Sequence, residues 1–194
     1  MALGRPRDFD LDEALECAMQ VFWQKGYEGA SLADLTTAMG INRPSLYAAF
    51  GNKDELFRKA LERYREGPSY YSREALEAPT AREVVQRMFE GAINLQMDAR
   101  TPRGCLYVHG ARGSAPKRVR KEVDERRMEG QTALRQRLER ARAEGDLPAE
   151  ADPAALARFV VTIVYGMAVQ SAGGANRKEL REIADQALRA WPTA

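Results

Sequence analysis

The sequence predicts an all-α protein. Apolar residues recur at intervals of three and four along most of its 194 residues. Ser, Asp or Asn stands ahead of each early run as a ready N-cap, and Gly and Pro clusters separate the later ones. No alternating pattern competes as strand. The expected architecture has about nine helices: an N-terminal three-helix unit over residues 1–54, then a larger helical unit over residues 55–194.

The first helix is expected over residues 11–25, capped by Asp10 with Glu13 in the box position, burying Leu15, Ala18 and Phe22 and stopped by Gly26. Ser31 caps a second helix, with Asp34 three residues on, and Leu32, Leu35 and Met39 share one face. Gly40 ends it, because glycine accepts a left-handed backbone without a Cβ penalty. The third helix starts almost at once, with Leu46 and Phe50 facing inward and Ile41 placed to staple against Leu46. Its cap is either Asn42 or, since proline disfavours helical dihedrals in the residue before it, Arg43 with Pro44 at the first helical position. Two short helices joined by so tight a turn make a helix-turn-helix.

Asn52 and Glu55 open a fourth helix with Leu56, Phe57, Ala60, Leu61 and Tyr64 on its apolar side, ended by Gly67-Pro68. Further helices are expected over residues 80–99, 104–111, 116–144, 153–172 and 177–190. Breaks at residues 101–104, 113–116, 145–148 and 173–174 divide them.

In a helix-turn-helix the second helix enters the major groove, and phosphate contacts on either side fix its register. Arg43, Pro44, Ser45, Tyr47 and Ala48 lie near the exposed start of that helix. Arg43 is the side chain able to pair bidentately with guanine; Pro44 and Ala48 offer only apolar contact, which leaves room for shape readout. Ser31, Tyr47 and Lys53 are the phosphate candidates, and a lead containing Arg5 and Arg7 suits a minor-groove arm. The plain structural alternatives are an N-cap for Ser31, packing against the fourth helix for Tyr47, and a solubilising tail for Arg5 and Arg7. Residues 1–60 hold seven Lys and Arg against nine Asp and Glu. A local balance this acidic predicts modest nonspecific affinity for DNA.

The run from Gly40 through Tyr47, then Phe50 and residues 53–57, resembles the signature of the TetR family of transcriptional regulators. The likeness extends back through Ala18, Phe22, Gly26-Tyr27 and Ser31-Leu32 to Gly4-Arg5-Pro6-Arg7. It covers about the first third of the chain; the remainder matches in helical character and length. The resemblance implies a homodimer whose N-terminal domains bind a palindromic operator in double-stranded DNA and whose C-terminal domains dimerise and hold a small-molecule inducer. It also implies release through a shift of the fourth helix, and backbone contacts from Ser31, Tyr47 and Lys53.

Residues 159–169 are apolar on every side and need cover on more than one face, as a dimer interface or a helix buried within one monomer supplies. The helix ending in Leu188 and Trp191 is its expected partner in a four-helix interface. Met88, Phe89, Ile93, Met97, Tyr107, His109 and Tyr165 are the candidate ligand contacts, mixing flexible apolar groups with polar tips; the same stripe also reads as core.

The single histidine removes paired-histidine metal motifs, and no glycine-rich phosphate loop is present. Cys17 and Cys105 are far apart, without zinc or disulfide spacing. An enzyme is disfavoured and no cofactor is expected. The eleven-residue apolar run is short for a bilayer and the N-terminus is charged, so a cytoplasmic protein without membrane contact is expected. A ligand-independent helix-turn-helix factor and an activator are the rival readings.

Overall fold

The computed structural model describes residues 9–111 and 113–192; Arg5 and Arg7 lie outside them. Ten helical segments and no strand occur among the described residues. They are α1 (Leu11–Gly29), α2 (Leu32–Ala38), α3 (Arg43–Phe50), α4 (Lys53–Glu66), α5 (Tyr71–Ala75), α6 (Ala81–Met97), α7 (Leu106–His109), α8 (Lys117–Ala143), α9 (Pro153–Ala172) and α10 (Arg177–Arg189).

Local hydrogen bonds explain the N-terminal boundaries. Asp10 Oδ1 accepts from the amides of Asp12 and Glu13 at 2.8 and 3.0 Å and so caps α1. That helix breaks at Gly26, where φ is +69°, and closes with one further turn. Ser31 and Asp34 form a reciprocal capping box at the start of α2. Gly40, at φ +65°, supplies the left-handed residue of a Schellman turn: its amide bonds Thr37 O at 3.2 Å and the Ile41 amide bonds Thr36 O at 3.1 Å. The two readings of the next cap resolve in favour of Asn42, whose Oδ1 accepts from the Ser45 amide at 2.9 Å. Arg43 is therefore the first residue of α3 and Pro44 the second, where its missing N–H costs nothing. Asn52 and Glu55 form a second capping box on α4.

Two apolar clusters fill the interior. The first gathers α1 to α4 and continues into Cys105, Leu106 and Tyr107 around α7 and Val119 and Val123 of α8. Edge-on aromatic pairs run through it, Phe22–Phe57 at 5.0 Å, Trp23–Tyr64 at 4.8 Å and Tyr64–Tyr107 at 5.0 Å between centroids. Each such pair contributes about 0.5–1.5 kcal/mol beyond area burial and ties α1, α4 and α7 together. The second cluster joins α5, α6, α8, α9 and α10.

Helix α9 extends well beyond the apolar run read from the sequence. At twenty residues, with a mean hydropathy of 1.4 in its most apolar window, it is by length and composition alone long enough to cross a membrane, and 28% of that window is buried. One side packs on the second cluster, while Phe159 and Val169 stay exposed.

Candidate nucleic-acid interface and internal cavity

Helix α3 buries Leu46 and Phe50 and turns Arg43, Pro44, Tyr47 and Ala48 outward. Tyr47 is 49% exposed and joins neither apolar cluster, so packing against α4 does not occupy it. Ser45 is half-buried, with its amide committed to the Asn42 cap. Ser31 is exposed, but its hydroxyl donates to Asp34 Oδ2 at 2.7 Å and accepts from the Asp34 amide at 3.0 Å. A phosphate would have to compete with Asp34 for that proton. Lys25 also reaches Asp34, at 2.6 Å; hydrogen bonds from Lys25 and Ser31 hold this carboxyl well below the usual carboxylate range.

Lys53 is half-buried at the start of α4. Its Nζ lies 4.4 Å from the centroid of the Tyr27 ring, and partial burial lowers its pKa. Tyr27 is fixed at three points. Its amide donates to Gly110 O at 2.7 Å, its ring packs edge-on to Phe57 at 5.4 Å, and its hydroxyl donates to Asp54. Burial, then the Asp54 hydrogen bond, pushes this phenol up to about 12. Asp54 accepts from Arg118 of α8 as well. Burial works against its ionisation, but the hydrogen bonds from Tyr27 and Arg118 outweigh it and its pKa falls. The start of α4 is thus bonded to the end of α1 and to α8, and α1 to the residue after α7.

A cavity of about 100 Å³ lies beyond this junction, between α4, α5, α6, α8 and α9. Tyr64, Tyr71, Cys105, Tyr107 and Tyr165 line its polar part, and Met88, Ala92, Leu95, Val161 and Val164 its apolar part. Gln96 pins the loop before α7 from inside, donating to Gly104 O at 2.9 Å and accepting from its amide at 2.7 Å. Arg126 closes one side and is itself paired with Glu62 and Glu129, each at 3.0 Å.

The cavity includes three of the seven ligand candidates, Met88, Tyr107 and Tyr165. The other four lie elsewhere. Phe89 and Ile93 are fully buried in the second cluster and do not line the cavity; each lies about 100° around α6 from its neighbour Met88 or Ala92, which does. Met97 packs against that same cluster. His109 faces a separate cleft beside Trp23 and Gly26, and its Nδ1 accepts from the Cys105 amide at 3.5 Å. No group of three or more His, Cys, Asp or Glu side chains able to hold a metal occurs among the described residues.

The chain is similar to known families and structures. Residues 14–60 match the bacterial regulatory proteins, tetR family, and residues 79–186 the tetracyclin repressor-like C-terminal domain. The HTH-type transcriptional repressor ComR of Escherichia coli (strain K12) is 35% identical over 193 residues, covering 97% of this chain and 92% of ComR. The chain belongs to the TetR family. A structure of the TetR-family regulator CifR, a cysteine mutant complexed with 26-base-pair operator DNA, superposes with a TM-score of 0.92 at 45% identity, over 97% of this chain and all of that one. A TetR regulator from Rhodococcus sp. RHA1 is 42% identical, with a TM-score of 0.66, over 93% and 98% of the two chains. The protein is a DNA-binding transcriptional regulator of this family.

The wall of the cavity contributed by α5 is not legible in the sequence. Five residues long and close behind Gly67-Pro68, α5 gives no periodic signal, yet it brings in Tyr71. Tyr64 was read as a core stripe residue of α4; it is that, and it also meets the cavity.

Proposed function

We propose that this TetR-family protein is a homodimeric repressor that binds a palindromic operator and is released when a small molecule occupies the cavity. The observation that carries the reading is the double role of the segment around α7. Cys105 and Tyr107 line the cavity, and Gly110, just after the helix, accepts the Tyr27 amide from the DNA-binding unit.

In this reading α3 lies in the major groove. Arg43 reads a guanine, Pro44 and Ala48 contact the groove wall, and Tyr47 and Lys53 hold phosphates on either side. Ser31 serves first as the cap of α2, and Arg5 and Arg7 extend the contact into the minor groove. Helices α9 and α10 form the dimer face: Phe159 and Val169 are exposed in one chain, and a groove between the two helices is lined by Phe159, Ile163, Ile183 and Ala187. The division into a reading unit over residues 1–54 and a ligand-binding and dimerisation unit over residues 55–194 belongs to the same proposal.

Occupation of the cavity displaces Tyr107 and Cys105. The displacement passes through the Gly110–Tyr27 hydrogen bond and the Trp23–Tyr64–Tyr107 ring contacts to α1 and α4. The two reading helices of a dimer must stand about 34 Å apart to enter successive major grooves, so a small rotation of these units lowers affinity. The coupling between the sites is expected at about 1–3 kcal/mol. Repression is supported by the repressor ComR among the relatives.

Selection of bound sequences from random double-stranded DNA tests the proposal. A two-fold symmetric site with half-sites about one helical turn apart is expected. Enrichment of a lone half-site, or of no sequence at low salt, overturns it.

A further inference from the structure

The polar groups of the cavity specify the chemistry of its occupant. Tyr71 and Tyr165 line it from α5 and α9, and among the described residues neither hydroxyl forms a hydrogen bond. The two phenols lie within electrostatic reach of each other and of Cys105 and Tyr107, so these groups converge on one region. Burial, reinforced by these neighbours, holds both phenols far above their ordinary range. Each therefore keeps its proton and faces the cavity as a donor. Tyr71 is also held in place: its ring sits against Gly91 of α6, where a Cβ would come within 2.3 Å of Tyr71 Cδ2.

Charge narrows the class further. The lining contains no Asp or Glu, so an ammonium group finds no counter-charge. Its two cations do not welcome a carboxylate. Arg126 is already committed to Glu62 and Glu129, which repel a further anion, and Arg73 is exposed. Size sets the last bound. A cavity of roughly 150 Å³ admits benzene; at about 100 Å³ this one takes a smaller molecule.

The geometry points to a neutral oxygen compound of about four or five non-hydrogen atoms, such as a short-chain ketone or aldehyde, whose oxygen accepts from Tyr71 and Tyr165 while its alkyl part lies against Met88, Ala92 and Val164. The assignment rests on the reading of this cavity as the effector site and names the class of effector.

Three probes of matched size separate the alternatives: methyl ethyl ketone, propanoate and butylammonium, titrated into the full chain by ligand-observed NMR. The ketone is expected to bind at least about tenfold more tightly than either ion, since burying an unpaired charge is the costlier step. Tyr71→Phe with Tyr165→Phe is expected to weaken ketone binding about fivefold, the worth of the lost hydrogen bonds. Ala92→Leu, which fills the space and keeps both hydroxyls, is expected to abolish it. Equal or tighter binding of either ion, no binding of any probe, or unchanged ketone affinity in the double Phe variant overturns the assignment. Operator affinity measured alongside separates the two claims. A ketone that binds without releasing operator overturns the effector reading and leaves the ligand class standing. An ion that binds and releases operator does the reverse.

Discussion

In the proposed contact with DNA, Lys53 and Arg43 differ in the way each is held. The Lys53 ammonium rests over the Tyr27 ring at 4.4 Å, at the first position of α4, and so offers a positioned point charge. Arg43 extends from the first turn of α3, exposed, where a guanidinium can rotate to meet a base edge. Arg43→Ala is expected to cost about 1–3 kcal/mol and to relax preference at one base pair in each half-site, as competition among single-base operator variants would read. Lys53→Ala is expected to weaken all sequences alike and to reduce the salt slope of binding by about one per protomer. Asp34 gives a pH dependence. Its pKa is depressed in the folded chain, chiefly by hydrogen bonds from Lys25 and Ser31. The stability it adds is therefore present above its ordinary value of 3.8 and lost as pH falls below that value toward the depressed one. In urea titrations the native protein is expected to exceed Asp34→Asn at pH 6, with the gap narrowing as the pH falls below about 4.

Among the elements, the helices of the reading unit were legible because their boundaries are written locally. Asp10, Ser31, Asn42 and Asn52 each cap with a side chain that bonds an amide two or three residues on, so no distant contact is needed to find them. The choice between Asn42 and Arg43 needed the structure, as did the further turn of α1 beyond Gly26. The cavity was legible in part, for a different physical reason. Its wall depends on which sides of α6, α8 and α9 meet, and periodicity marks an apolar face without saying what the face touches. Thus Met88 and Phe89 both belong to the second cluster, yet Met88 alone of the two also lines the cavity. Helix α5 escaped detection because five residues hold too little pattern, and its placement comes from Tyr71 seated on Gly91. Gly91→Ala is expected to push that ring away and to destabilise the protein by about 1–3 kcal/mol, read as a lower urea midpoint at unchanged slope.

For the molecule as a whole, the proposed dimer turns on α9. This helix is twenty residues long, apolar on average, and only partly covered by its own chain. Phe159 and Val169 keep 37% and 49% of their surface open in the single chain. Replacing both by Asp puts a charge at each open position. In sedimentation experiments the same variant is expected to run as a monomer and to lose most of its operator affinity, since a single reading helix forfeits the second half-site. A variant that stays dimeric would place the interface elsewhere.

In the proposed repressor two reading helices, held at a fixed separation by one dimer, read the operator together. Affinity for the selected operator, with and without five base pairs inserted between its half-sites, tests this most directly. Five base pairs turn one half-site to the opposite face of the duplex, beyond what a dimer with reading helices about 34 Å apart can follow. A loss of at least about a hundredfold is expected, corresponding to a half-site worth some 3 kcal/mol. Equal affinity for the two DNAs would mean that each chain reads alone, and would contradict the dimeric repressor proposed here.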